Sequence, residues 1–438
     1  MTETPNERKN LLKDASWLFS GEMGRSLFAG LETVLLARLL GLEQFGLLAL
    51  VIAFVNIING LIDFNVTESV VKYVGQYRER KDKEKTLSFV KLFYLIDFFS
   101  GIVAFAVAIL LAGVANEFFI KSENAFELIF IYSFYLLVVT VNNNSKSLFT
   151  VFQRFNMAAL LDVVGVGIRF VFVAITLLMG FGVKGALFAY VAAGFIHFVI
   201  LQFFVNRALK DEGLSGWLFA KLGDVKDEFR GVASFILNST VASFISKVFD
   251  KNFPILILGN LFGNEVSGLY KTAAVVSKII GKLVMPATKV LYPALVRLEE
   301  RQSYNDFRYI VSYSMKLLAM LVVPVSAICF LFAADIIRIF FGAEYVGAAN
   351  AMKIIVVAEL LFGITFWVPS VLLALGMVWF RTGLALVGTL LYVVALFILA
   401  PIYSLEGVAF AKLVPFLPVL FVALFLFREM KKRGRAVA

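Results

Sequence analysis

Long apolar runs separated by short polar segments fill the chain from residue 15 onward. A helix needs about 20 apolar residues to cross the hydrocarbon core of a bilayer. Runs of this length predict twelve spanning helices, at residues 15–39, 45–64, 87–112, 125–143, 158–179, 184–205, 234–260, 266–295, 309–332, 348–375, 383–400 and 405–427. The gaps between them are too short for a separate soluble domain. We therefore predict an all-α polytopic membrane protein.

Two segments of the first half recur 222 residues later. Residues 39–47 (LLGLEQFGL) match residues 261–269 (LFGNEVSGL), and residues 185–189 (GALFA) match residues 407–411 (GVAFA). Six helices per half make this a parallel repeat, an arrangement known from alternating-access transporters. The repeat predicts two six-helix lobes, residues 1–222 and 223–438. We expect a cytoplasmic linker at about 206–233 and a basic cytoplasmic tail at the end of the second lobe.

The composition agrees with a bilayer as solvent and narrows the chemistry. The 438 residues are 61% hydrophobic and 16% charged, which is too little charge to cover a soluble protein of this size. The single Cys329 excludes a disulfide framework, and the single His197 is expected to pack between helices. No Walker, zinc-protease or nucleophile-elbow motif stands in a supporting context. We therefore expect no enzyme activity, no catalytic residue, no metal and no cofactor.

The basic residues follow the predicted topology. Most of the 41 Lys and Arg residues fall on the side of the N-terminus, whereas the opposite loops hold Lys121, Lys184 and Arg338. Basic loops mark the cytoplasmic side of a membrane. We therefore expect both termini in the cytoplasm and the protein in the inner (plasma) membrane. The net charge of +10 then belongs to the cytoplasmic face and does not indicate a nucleic-acid partner.

Several basic residues nevertheless fall inside predicted spans. Each costs about 2.5–3.5 kcal/mol at a helix centre on insertion scales, so its position needs a reason. Arg38, Lys91 and Lys316 lie near helix ends and can extend to the interface.

The eighth predicted span carries four lysines on one face. Lys271, Lys278, Lys282 and Lys289 follow one another at intervals of seven, four and seven residues, which places them on one narrow stripe of a helix. Lys278 and Lys282 flank the midpoint of the span. The pattern predicts a basic stripe that faces a water-filled cavity. The alternative is a set of internal salt bridges to acids on other helices.

The seventh span adds Lys247, Asp250 and Lys251 on one face, where Asp250 neutralises one of the two lysines. At the repeat offset Lys247 matches Arg25 of the first span, whose face also carries Glu32. The predicted cationic cavity is therefore lined by Arg25, Lys247, Lys251, Lys271, Lys278, Lys282 and Lys289.

Polar residues elsewhere complete the candidate site. One face of the second span suits sugar hydroxyls or water, and it carries Asn56, Asn59 and Asp63. Glu359 and Asp162 are candidate ion-coupling residues. Asp162 shares a helix face with Arg169, and we expect these two to pair with each other.

Residues 37–50 (ARLLGLEQFGLLAL) resemble the first-loop signature A-R-x-L-G-P-x-x-F-G of the oligosaccharide flippases, the Wzx-type polysaccharide biosynthesis proteins. Leu42 replaces the proline of that signature. Asp63 with Lys72 is similar to the family's D-x-G…R stretch, with Asn65 in place of its glycine. The resemblance covers most of the chain. It implies the multidrug/oligosaccharidyl-lipid/polysaccharide (MOP) superfamily, which includes MATE exporters and the lipid II flippase MurJ.

The resemblance also implies a substrate and partners. Such flippases move an oligosaccharide linked to a polyprenyl phosphate or pyrophosphate from the cytoplasmic to the outer leaflet, by alternating access of two lobes. We accordingly expect contacts with membrane lipid and glycan-assembly enzymes, and function as a monomer.

Three other functions remain as alternatives. A MATE-like drug/cation antiporter should carry net acid in its cavity, whereas the seventh and eighth spans carry net base. A membrane-embedded glycan polymerase or glycosyltransferase generally needs a sizeable outer loop with catalytic acids or arginines, and the longest outer loops here, 113–124 and 333–347, are short. A scaffold that transports nothing would have no use for lysines in the middle of the bilayer.

Overall fold

The computed structural model describes residues 5–64, 66–237, 240 and 252–436, and no strand occurs among them. Contacts divide the chain into two compact units, Met1–Leu256 and Ile257–Ala438. Nine of the described helical stretches are long and apolar enough to cross a membrane. The prediction of an all-α polytopic membrane protein is confirmed, while the lobe boundary at 222/223 stays a prediction.

The described part of the first unit contains six long helices. They are α1 (Pro5–Leu40), α2 (Leu42–Ile62), α3 (Lys83–Leu110), α4 (Ala125–Val151), α5 (Phe155–Leu178) and α6 (Gly182–Asp211). Short helical segments connect or follow them at Thr67–Ser69, Val70–Val74, Gly75–Glu79, Ala112–Ala115, Asn116–Ile120, Trp217–Phe219 and Leu222–Val225.

The second unit repeats the pattern. A short apolar helix, α7 (Phe253–Phe262), crosses the boundary between the units, and the longer helices that follow it are α8 (Asn264–Glu300), α9 (Tyr304–Leu331), α10 (Ala349–Thr365), α11 (Val378–Ala411) and α12 (Phe416–Ala436). Shorter helices lie at Ala333–Phe340, Ala343–Ala348 and Trp367–Ala374.

The end of the chain differs from the predicted spans. The predicted break after residue 400 is present. Ser404 inside α11 has φ 50° and ψ −126°, which are not helical angles. The predicted single span 405–427 is wrong, since α11 ends at Ala411 and α12 begins at Phe416. Pro415 disfavours a helical conformation for the residue before it. Hydropathy alone does not predict this turn, because Leu413 and Val414 within it are apolar.

The structure explains the first repeated segment. Gly41 separates α1 from α2 with φ 76°, and Gly263 separates α7 from α8 with φ 85°. Both angles lie in the left-handed region, which glycine adopts without the steric cost that a Cβ adds. The matched glycines therefore make the same tight turn in each half of the chain.

The second repeated segment also has a steric basis. A Cβ on Gly185 would overlap Cβ of Phe181, and a Cβ on Gly407 would overlap the carbonyl oxygen of Leu399. Each glycine follows a sharp bend in the chain, at Gly180–Gly182 and at Ser404 respectively. The residues before the bend lie close to the glycine after it. The repeat thus keeps glycine where a side chain does not fit.

The segment after α6, which the sequence predicts as a linker, packs against the polar end of the first unit. Arg78 donates to Glu212 Oε2 from Nε at 3.0 Å and from Nη2 at 2.8 Å. Lys85 Nζ and the Tyr77 hydroxyl each donate to Glu228 Oε1 at 2.6 Å. These contacts bind residues 212–228 to the start of α3 and to the short helix Gly75–Glu79 that precedes it.

Lys91 takes part in the same docking. The sequence predicts that this side chain extends to the membrane interface, whereas in the structure its Nζ donates to the carbonyl oxygen of Ala220 at 2.9 Å. Ser88, less than one turn before it on α3, donates to the carbonyl oxygen of Lys221 at 2.8 Å. The backbone of the linker thus supplies acceptors that the apolar pattern of α3 does not reveal.

The Glu228 contacts predict that docking depends on pH. Hydrogen bonds from Lys85 and Tyr77 lower the pKa of Glu228 below its ordinary value. Docking is therefore complete above the ordinary glutamate pKa and weakens as the pH falls through the lowered one. Glu228→Gln should lower the protection of the amides of residues 212–228 against hydrogen exchange at neutral pH, relative to the intrinsic rate at that pH, toward the protection that the unchanged protein has in acid. Asp227→Asn, at an exposed neighbouring acid, is the control and should exchange like the unchanged protein.

Candidate functional site

A buried ionic network joins three helices of the first unit. The Glu32 side chain on α1 is 2% exposed. Arg169 of α5 donates from Nε to Glu32 Oε2 at 2.9 Å, and the Tyr190 hydroxyl of α6 donates to Glu32 Oε1. The Arg169 guanidinium also lies 4.9 Å from the centroid of the Tyr190 ring. Both carboxylate oxygens are thus satisfied, which offsets much of the cost of burying the charge.

The predicted pairing of Asp162 with Arg169 is wrong. Asp162 pairs with Lys146 of α4, and Arg169 pairs with Glu32 of α1. Positions seven apart on one helix share a face, but they are separated by about 10 Å along the axis. Each side chain therefore finds its partner on a neighbouring helix.

His197 packs between helices as expected. Its ring lies 2.7 Å from where a Cβ on Gly165 would stand, so α5 and α6 approach closely at this glycine. The prediction that His197 is a packing residue is confirmed.

Arg25 has a partner of its own. Its Nη2 lies 2.6 Å from Glu22 Oε2, and the two side chains are 46% and 40% exposed. Glu32, which the sequence places on the same face, turns to Arg169 instead. A substrate-binding role for Arg25 stays a prediction, in which a ligand would compete with Glu22.

The lysine stripe of the second unit lies against an acid. Lys271, Lys278 and Lys282 are half-buried on α8. Oε2 of Glu359 on α10 lies 2.5 Å from the position that a Cβ on Gly281 would take. Gly281 directly precedes Lys282 and follows Lys278 by less than one turn, so this carboxylate lies beside the middle of the stripe. The structure brings the candidate ion-coupling acid and two predicted cavity lysines together.

Two further lysines of this unit lie near aromatic rings. Lys412 Nζ is 5.9 Å from the centroid of the buried Tyr270, next to Lys271 at the start of α8. Lys353 Nζ is 5.8 Å from the Phe330 centroid. Aromatic faces attract cations within about 6 Å, which lowers the cost of placing lysines in these helices.

The remaining predicted residues fall into two groups. Asn56, Asn59 and Asp63 are half-buried on or just after α2, and the backbone N–H of Asp63 donates to the Asn59 carbonyl oxygen at 2.8 Å. Their binding role stays a prediction. Lys247, Asp250 and Lys251 lie outside the described residues, as does the side chain of Lys289.

Residues 11–299 match the family of polysaccharide biosynthesis proteins. The chain belongs to this family. A Shigella flexneri protein named for O-antigen transport is 23% identical over 359 residues, which cover 80% of this chain and 81% of the relative. The resemblance carried by residues 37–50 is thereby confirmed.

Two solved structures share the fold. The inward-facing conformation of a multidrug-resistance MATE transporter of the MOP superfamily has a TM-score of 0.76 at 17% identity, over 97% of this chain and 100% of the other. The inward closed conformation of the lipid II flippase MurJ has a TM-score of 0.73 at 14% identity, over 95% and 90%. At these identities the likeness establishes the fold and leaves substrate to be argued from the residues.

Proposed function

We propose that the protein is a flippase for an oligosaccharide linked to a polyprenyl phosphate or pyrophosphate. It would carry this substrate from the cytoplasmic to the outer leaflet by alternating access. The single observation that supports this most is the presence of Lys278 and Lys282 at the middle of α8, in a family named for polysaccharide biosynthesis.

The chemistry of the stripe suits a phosphate. A phosphate headgroup cannot cross hydrocarbon unaided, and charge-assisted hydrogen bonds from ammonium groups offset the loss of its hydration. Lysine is a compact point charge on a flexible stem, so it can follow a moving phosphate without fixing it in one geometry. In the empty transporter Glu359 would act as the counter-ion of this segment, and the substrate phosphate would compete with it.

The finer features of the proposal follow from the sequence. The phosphate site would include the predicted cationic residues Arg25, Lys247, Lys251, Lys271, Lys278, Lys282 and Lys289. We place the protein in the inner (plasma) membrane as a monomer with both termini in the cytoplasm, because basic segments mark that side. Membrane lipid and glycan-assembly enzymes would be its partners.

The test is export of surface glycan in a strain that lacks the chromosomal gene. We expect Lys278→Ala and Lys282→Ala each to lower export about tenfold or more, because a hydrogen bond to a charged group contributes about 1.5–3 kcal/mol and 1.4 kcal/mol corresponds to tenfold. The lipid-linked glycan should then accumulate on the cytoplasmic leaflet. Immunoblots of the membrane fraction establish that each variant inserts.

The matched control is Lys316→Ala, at an exposed lysine of α9, which should export normally. Normal export by the double variant Lys278→Ala/Lys282→Ala would overturn the proposed role of the stripe. Resistance to organic cations, measured in the same deletion strain, should be unchanged. A loss of that resistance would favour the drug/cation antiporter instead.

A further inference from the structure

Asp97 is a buried acid in the middle of α3. It lies about 20 Å along the axis from either end of the helix. Its exposed fraction is 3%. Among the residues that the structure describes, no Lys, Arg or His forms an ion pair with it, whereas eight other acids of the first unit each have such a partner. The charged group that acts on Asp97 is another acid, Asp63.

The backbone around Asp97 is held tightly against α4. Thr140 donates from Oγ1 to the carbonyl oxygen of Asp97 at 3.0 Å, and Ser100 donates to the same oxygen at 3.2 Å. One turn further, a Cβ on Gly101 would lie 2.8 Å from the carbonyl oxygen of Leu136. These hydroxyl groups bond the main chain of Asp97, so they do not neutralise its carboxyl group.

Helix α4 presents a neutral polar side chain to the carboxyl group. Asn144 is 2% exposed and faces Asp97, so its amide is placed to donate to the Asp97 carboxyl group but carries no charge. The other titratable group near Asp97 is Tyr94 of the same helix, whose hydroxyl is hydrogen-bonded with Ser145. Among the described residues, the side chains that act on the Asp97 carboxyl group are those of Asp63, Tyr94 and Asn144, and none of the three carries a positive charge.

An ionised carboxylate inside a membrane span is costly unless a cation neutralises it, and such residues commonly mark proton pathways. None of the described residues supplies a cation here, and a proton from solution neutralises the carboxyl group. We propose that Asp97 is a proton-binding site: its carboxylate takes up one H⁺ to become a neutral carboxylic acid in the buried state, and releases the H⁺ when the α3–α4 interface opens to water. That this proton is coupled to transport rests on the proposed flippase function.

The proton site can be tested without any transport assay. Dicyclohexylcarbodiimide reacts with protonated carboxyl groups in apolar surroundings. In the purified full-length protein, peptide mass spectrometry should find the adduct on Asp97 at low pH and a progressive loss of it as the pH rises. Asp97→Asn, a near-isosteric neutral variant, should lose this adduct. Glu84→Gln, at an exposed acid of the same helix, should keep it.

Infrared difference spectra between low and high pH supply a second measurement on the unchanged protein. A protonated-carboxyl band should be present, and Asp97→Asn should remove it. Absence of both the adduct and the band at every pH would overturn the proposal. Loss of the adduct on adding Na⁺ at constant pH would support the site as well, because Na⁺ would then compete with H⁺ for the same carboxylate.

Coupling is tested separately in proteoliposomes that contain the lipid-linked glycan. A pH gradient should accelerate flipping by the unchanged protein, and Asp97→Asn should lose this acceleration. Equal acceleration in both would disprove coupling through Asp97. No flipping by the unchanged protein would disprove the proposed function and leave the result on proton binding standing.

Discussion

Glu32→Ala is expected to lower the free energy of unfolding by about 3–5 kcal/mol, because removing one member of a buried ion pair leaves the other charge uncompensated. Arg169 would lose its Nε acceptor and Tyr190 would lose the acceptor of its hydroxyl group. Both lie where α1, α5 and α6 meet, and Glu32 is the acid that the structure places beside them. The change is measured by thermal unfolding of the purified protein in detergent.

The same helix provides a matched control. Glu22 also pairs with an arginine, but the Glu22 and Arg25 side chains are 40% and 46% exposed. Exposed ion pairs contribute about 0–1 kcal/mol, so Glu22→Ala should unfold almost like the unchanged protein. Equal stability of Glu32→Ala and Glu22→Ala would contradict the network. The double variant Glu32→Gln/Arg169→Leu removes both charges and should recover part of the loss.

The sequence predicts helix faces well, and partners between helices poorly. The spacing of Lys271, Lys278 and Lys282 established one stripe of α8, because helical geometry alone determines which residues share a face. It could not place Glu359 against Gly281, since that contact depends on how α8 and α10 pack. The same limit explains Arg169: its face was predictable, and its partner Glu32 lies on a helix 137 residues away in sequence.

The sequence also predicts the tight turns better than the contacts of the linker after α6. Gly41 and Gly263 were predictable as equivalent, because the repeat keeps glycine where φ is positive. The sequence predicts that the residues after α6 form a linker. It does not predict that Glu212 binds Arg78 or that Glu228 binds Lys85. Those pairs join segments more than 130 residues apart, so they become visible only in the folded first unit.

Gly407→Ala is expected to destabilise the second unit by about 3 kcal/mol or more. Adding a methylene to a well-packed site typically costs about 1–3 kcal/mol, and here the new Cβ meets a rigid backbone carbonyl, that of Leu399, rather than a flexible side chain. The turn at Ser404 has φ 50°, so it has little freedom to adjust. Unfolding in a titration with denaturing detergent measures the loss.

Gly383 lies on the same helix α11 and has open space where a Cβ would stand, so Gly383→Ala isolates the steric effect. That control should be neutral or more stable by about 0.5–1 kcal/mol, because alanine favours helix over glycine. If the repeat preserves these glycines for steric reasons, Gly185→Ala should also be destabilising, although by less, since its new Cβ meets the side chain of Phe181. A Gly407→Ala protein as stable as Gly383→Ala would show that the turn between Pro401 and Ser404 relaxes freely, and the steric account of the repeat would then fail.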